Sequence, residues 1–184
     1  MKPVVDLMFE SQMLKRIPRS GYAFLGVGRE SVAEHTFVCT FIAYVMARLV
    51  PDTDTERLVG MCLLHDLAEA RTGDMNYVQK RYVATDENRA LSDAFGSIPF
   101  GEEWQALIDE FNQCRSLEAR LAHDADQLAL MLDLKALADC GHPPPELWLK
   151  NVERRLQTDV GRRLGETVMK THKDDWWLKL MIDT

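Results

Sequence analysis

Apolar residues recur at three-and-four spacing along almost the whole chain, and period-two alternation rich in Val, Ile and Thr is missing. The pattern predicts an all-α fold. A first helix is expected over 4–17, where Val4, Leu7, Met8, Phe9, Met13 and Leu14 keep helical spacing ahead of Pro18. Glycines at 21, 26 and 28 then interrupt the periodicity. The next helix opens on a capping-box pattern, Ser31-Val-Ala-Glu34, and runs to Val50. Apolar residues lie on nearly all its sides, so it is expected to be the central, buried helix. After Pro51 and Asp52 comes a helix over 55–70, carrying Leu58, Val59, Met61, Cys62, Leu63, Leu64 and Leu67. A polar connection over 71–85 contains Thr72-Gly73-Asp74, and helices are expected over 86–95, 102–114 and 116–140. Gly141-His-Pro-Pro-Pro145 stops the last and longest of these, because proline cannot continue a helix. Two amphipathic segments from Glu146 onward carry Trp148, Trp176 and Trp177. With no repeat, low-complexity tract or linker, a single domain over 1–184 is expected.

Charge narrows the range of partners. The 184 residues hold 22 Lys+Arg against 29 Asp+Glu, a formal charge of −7, with 46% hydrophobic residues. A chain of this length hides about 70% of its unfolded surface without a metal or disulfide staple, so a metal here implies function. The acidic balance argues against duplex nucleic acid and against an anionic membrane surface. A small anionic substrate needs only one local cationic site, and residues 15–29 hold Lys15, Arg16, Arg19 and Arg29 with no acidic side chain. Four dispersed cysteines without a CxxC pair read as core thiols in a reducing cytosol. The longest wholly apolar run, 41–47, is far shorter than the ~20 residues of a membrane span, and the N-terminus has no apolar leader core. A cytoplasmic location is expected.

Candidate chemistry concentrates in two His-Asp doublets. His65 and Asp66 are adjacent within the apolar run Met61-Cys-Leu-Leu-His-Asp-Leu-Ala68. Neighbours on a helix point about 100° apart, so at least one of the two faces the interior. Either they share a divalent cation or they form a plain hydrogen bond in a core. Glu69, four residues after His65, is expected on the same helical face. There it either takes a proton from a cation-polarised water or is a solvated residue of the last helical turn. His35 follows the capping box on an apolar helix. In the second doublet, His123 reads as a surface residue and Asp124 as the surface ion-pair partner of Arg120. Asp126, with Ala122, Ala129 and Leu130 at helical spacing, faces the core instead. His142 and His172 read as loop or surface positions. His35, His65, Asp66 and Asp126 would form a set of two nitrogen and two oxygen donors, suited to Mn, Co, Fe, Ni or Zn, and hydrolysis is the natural reaction class for it.

In this order and spacing the residues resemble the H…HD…D signature of the HD-domain metal phosphohydrolases. Leu14-Lys-Arg-Ile-Pro-Arg-Ser-Gly-Tyr22, Glu30-Ser-Val-Ala-Glu-His35, His65-Asp-Leu-Ala-Glu69 with Thr72-Gly-Asp74, and Ala125-Asp-Gln-Leu128 resemble the 5′-deoxynucleotidase (YfbR-like) branch. The resemblance spans residues 14–132. It implies an HD-type helical bundle, one divalent metal on His35, His65, Asp66 and Asp126, and hydrolysis of 5′-deoxynucleoside monophosphates with Glu69 assisting the water. It gives Arg19 or, less directly placed, Arg16 the phosphate, Asp74 a sugar contact, and Tyr22 a place beside the substrate. Here Ser20-Gly21 separates the arginine from its aromatic, where related enzymes have an adjacent Arg-Trp pair. A homodimer is implied as well. Hydrolysis of an alarmone pyrophosphate or a phosphodiester, and a nucleotide-binding sensor without turnover, are the alternatives within the same resemblance.

Overall fold

The computed structural model describes residues 1–182, and among these it is built from helices, with a single antiparallel bridge between Pro18 and Ser31. Helix α1 spans Lys2–Ser11 and passes into a 3₁₀ turn at Gln12–Lys15, so the helix expected over 4–17 changes its winding before Pro18. The short α2, Tyr22–Leu25, follows. Helix α3, Val32–Leu49, starts at the expected capping box: the Ser31 hydroxyl accepts from the Glu34 amide, and the Glu34 carboxylate accepts from the Ser31 amide at 2.6 Å. The remaining elements are α4 (Thr55–Leu64), α5 (Glu69–Thr72), α6 (Glu87–Phe95), α7 (Gly101–Gln113), α8 (Leu117–Asp139), α9 (Glu146–Arg155), α10 (Asp159–Lys170) and α11 (Asp175–Ile182). The chain beyond Glu146 thus makes three helices rather than two.

Helices α3, α4 and α8 pack on one another around Cys39, Ala43, Met46, Leu58, Met61, Leu121, Leu128 and Met131. A second core, from α1, α6, α7 and the chain after α4, gathers Leu7, Leu14, Leu67, Leu91, Phe95 and Ile108. Cys39 and Cys62 are core thiols as expected, whereas Cys114 is half-buried and Cys140 exposed. Helix α3 is long and apolar enough to cross a membrane, yet it packs as a core helix with His35 fully buried. Only part of it is covered: Phe37, Phe41, Tyr44 and Leu49 are exposed, contrary to burial on all sides.

Two readings of the second doublet are corrected. Asp124 is not a surface partner of Arg120. It is fully buried, and its carboxylate accepts from the Gln157 amide at 2.6 Å, the Thr158 amide at 2.8 Å and the Thr158 hydroxyl at 2.5 Å, fixing the start of α10. Nor does His123 lie on the open surface. Its ring stacks on Phe111 at 4.1 Å and its Nε2 lies 2.9 Å from the Phe111 carbonyl oxygen. Local spacing could not reveal either partner, because both belong to other helices or to the chain between them.

Candidate active site

The helix expected over 55–70 ends at Leu64, and the next residues wind more tightly. The Leu67 amide donates to the Leu64 carbonyl and the Glu69 amide to that of Asp66, each at 3.0 Å, in i to i−3 bonds. Residues three apart eclipse in such a turn. Glu69 therefore shares a side with Asp66 rather than with His65, and Asp66 and Glu69 line the same cavity. His65 points beneath them. One of its ring nitrogens, Nδ1, lies 2.9 Å from the Cys62 carbonyl, which fixes that nitrogen as an N–H donor and makes Nε2 the one that offers a lone pair in the neutral ring.

His35, from α3, and Asp126, from α8, complete the floor. His35 Nε2 lies 2.9 Å from Asp126 Oδ1 and 4.0 Å from Asp66 Oδ2, while His65 Nε2 lies 3.1 Å from the same Asp66 oxygen. Ligand atoms of His35, His65 and Asp126 all fall within 4.8 Å of one another. His65 Nε2 is buried without a hydrogen-bond partner, since Asp66 approaches it off the hydrogen-bonding direction. An unpartnered imidazole nitrogen beside two carboxylates, with no thiolate, is a donor set that fits a divalent cation. Asp126 is further held by Gln127, whose Nε2 donates to its Oδ2 at 2.8 Å.

Without a cation the charges distribute unevenly. Burial disfavours ionisation of Asp126, but the hydrogen bond and charge of His35, with the nearby His65, outweigh it and hold the carboxyl below its ordinary range. Burial opposes the His65 cation, and the Asp66 carboxylate overrides this and raises His65 well above its usual value. Glu69 goes the other way: burial first, then the charges of Asp66 and Asp74, push it up to about 9. Its Oε2 is buried with no hydrogen-bond partner.

Across the floor lies Arg19, whose Nη1 is 3.4 Å from Asp66 Oδ2 and whose Nε is 3.9 Å from Glu30 Oε2. Burial opposes its charge, but Asp66 and its neighbouring acids raise it further, so it stays a cation. Lys15 and Arg16 are exposed, which gives the cavity to Arg19. Asp74 closes one side, accepting from the Ser20 amide at 2.6 Å and the Ser20 hydroxyl at 2.9 Å through Oδ2. Tyr22 lines the cavity too, with its phenol donating to Asp133 Oδ2 at 3.0 Å. The ring fits because Gly28 has φ 75° and a Cβ there would lie 3.0 Å from Tyr22 Cε1. Glu30 and Asp133 were not singled out by the sequence reading, although Glu30 opens the Glu-Ser-Val-Ala-Glu-His phrase. Trp148 was not placed at the site either. It reaches the cavity from α9, within 3.7 Å of where a Gly21 Cβ would lie, so an indole arrives from a distant segment. The cavity measures about 1010 Å³.

A helical core that presents two imidazoles and two aspartates around one point, with an arginine and a glutamate facing them, has the architecture of metal-dependent phosphohydrolases of the HD class. The family model HD_3, described as an HD domain, matches residues 11–168, and the chain belongs to that family. The human 5′-deoxynucleotidase HDDC2 is 30% identical over 142 residues, covering 73% of this chain and 68% of the relative. The 5′-deoxynucleotidase hdd1 of Schizosaccharomyces pombe is 25% identical, over 66% of this chain and 65% of the relative. Among solved structures, a conserved hypothetical protein from Pyrococcus furiosus superposes with a TM-score of 0.77 at 28% identity, covering 91% of this chain and 99% of that one. A predicted metal-dependent phosphohydrolase from Magnetospirillum magnetotacticum superposes with a TM-score of 0.71 at 20% identity, over 92% of this chain and 93% of that one, a likeness of fold. Membership of the family implies a divalent metal.

Proposed function

We propose that the protein is a metal-dependent 5′-deoxynucleotidase, releasing phosphate from 5′-deoxynucleoside monophosphates. One observation carries this reading: His35 Nε2 and the unpartnered His65 Nε2 meet Asp126 and Asp66 at the floor of a cavity whose walls include Arg19 and Glu69. The names of the curated relatives supply the substrate class.

His35, His65, Asp66 and Asp126 would hold the cation. When bound, it acidifies water towards neutrality and neutralises phosphate oxygens. Arg19 binds the phosphate and orients it for in-line attack, its guanidinium held over Asp66. Glu69 takes the proton of the attacking water at Oε2, the oxygen without another partner. A cation held on the four ligands would oppose the burial and the Asp66 and Asp74 charges that raise this carboxyl, and so favour the ionised form that accepts the proton. Asp74, with Oδ2 tied to Ser20, offers Oδ1 to a sugar hydroxyl, and Tyr22 walls the nucleoside side. Nitrogen and oxygen donors without thiolate favour Co, Mn, Fe, Ni or Zn. The exposed Phe37, Phe41 and Tyr44 on α3 support a homodimer through that face. A cytoplasmic location agrees with the reduced Cys39 and Cys62.

The test is a substrate and metal panel with phosphate detection. We expect Co²⁺- or Mn²⁺-dependent release from several 5′-deoxynucleoside monophosphates and little from the ribonucleotides. No release with any metal overturns the enzymatic reading, and equal release from ribonucleotides overturns the sugar selectivity.

A further inference from the structure

We propose that Asp133 is a positioning residue that holds the Tyr22 ring, carried on the same turn as Arg19, in place on the wall of the nucleotide cavity. The proposal rests on reading that cavity as the nucleotide site. Asp133 lies on α8 seven residues after Asp126, two turns along the same face, and lines the cavity with it. It is not among the ligand atoms gathered at the floor. Its Oδ2 accepts from the Tyr22 phenol, across 111 residues of chain. Glu30 reaches Arg19 twice: its carbonyl accepts from the Arg19 amide at 2.8 Å, and its Oε2 lies 3.9 Å from Arg19 Nε.

Ser20 is tied to Asp74 and Arg19 reaches Asp66, but the Tyr22 phenol has Asp133 as its hydrogen-bond partner. Arg19 and Tyr22 are joined by a single turn, in which the Tyr22 amide donates to the Arg19 carbonyl at 3.2 Å. Gly21 sits within that turn, and α2 that follows is four residues long, too short to be stable alone. Glu30 and Asp133 both line the cavity, and Glu30 Oε2 also lies 4.0 Å from His35 Nδ1. Asp133 takes the phenol and Glu30 the guanidinium, three residues apart on one turn. A nucleotide entering the cavity then meets a phosphate ligand and a ring wall whose separation is already set, so that less ordering has to accompany binding.

The consequence is an effect on substrate affinity rather than on the chemical step. Steady-state kinetics on one deoxynucleoside monophosphate at fixed Co²⁺, with nucleotide affinity from calorimetry, would be measured for wild type, Asp133→Ala, Asp133→Asn, Tyr22→Phe and the Asp133→Ala/Tyr22→Phe double variant. Losing one hydrogen bond is expected to raise KM about 3- to 10-fold in Asp133→Ala and in Tyr22→Phe, with kcat within about twofold. The double variant is expected to be no worse than either single one. Asp133→Asn is expected to recover affinity relative to Asp133→Ala, since its amide oxygen still accepts from the phenol. Additive effects, a loss confined to kcat, or an asparagine variant as weak as the alanine one overturns the proposal. If Asp133→Ala does not fold, Tyr22→Phe, which loses only a hydroxyl, decides it: an unchanged KM overturns the proposal. Should wild type release no phosphate, the enzymatic reading fails, while the calorimetric cycle still decides the role of Asp133.

Discussion

His65 and Glu69 sit four residues apart, and the parts proposed for them differ because of what each lacks. The imidazole has one nitrogen bound to the Cys62 carbonyl and the other free, so it is prepared as a ligand. The carboxyl has a free, buried oxygen and a raised proton affinity, so it is prepared to carry a proton. Glu69→Gln should therefore keep metal and nucleotide while kcat falls on the order of 10²- to 10⁴-fold. Asp66→Ala should lose the metal itself. Metal content after dialysis and nucleotide calorimetry separate the two, and equal metal loss in both removes Glu69 from its role. The residues gathered at the floor were legible in the sequence as polar side chains on apolar faces, and Arg19 as a cation in an acid-free stretch. Asp133 was not legible: one carboxylate among many on α8, it acquires meaning only from a phenol 111 residues away.

At the scale of elements, spacing marks out helices well and their ends poorly. Apolar periodicity continues through Leu67 and Ala68, both buried, so it carries no sign that hydrogen bonding shifts from i−4 to i−3 after Leu64. That shift turns Glu69 to the side of Asp66. The capping box at Ser31 was readable because both partners are local. The cap on α10 was not, because half of it is Asp124 on α8, buried and bound to the backbone of Gln157 and Thr158. Asp124→Ala removes the acceptor of the part-buried Gln157 and Thr158 amides, at a cost of about 1 kcal/mol each. The melting temperature should fall accordingly, with metal binding retained at temperatures where the variant is folded. Gly161→Ala should destabilise through the same contact, as its Cβ would lie 2.2 Å from Asp124 Oδ2. A wild-type melting temperature in both variants would show that α10 is held by its other contacts.

Across the whole molecule, the site's charges make stability depend on pH and on metal in opposite senses. Free of metal, Glu69 titrates near 9 and Glu30 near 8, against an ordinary 4.5. Between those values the folded chain holds protons that the unfolded chain has released, so stability falls as pH rises. His65 adds to this slope. Its folded value lies well above the ordinary 6.5, so its contribution is complete below 6.5 and is lost as pH climbs through the folded value. Asp66 and Asp126 are depressed below 3.8, and their contribution is complete above that value and lost as pH falls through the folded one. Metal-free protein should thus be most stable at acidic pH, about 4, and its urea midpoint should decline from pH 5.5 to 8.5. Cation binding needs His65 neutral, so it displaces a proton and strengthens with pH over the same interval. The difference in urea midpoint between Co²⁺-loaded and chelator-treated protein should therefore widen with pH. A metal-free midpoint that stays level or rises from pH 5.5 to 8.5 would mean that Glu69 and Glu30 do not hold protons in the empty site of this −7 chain.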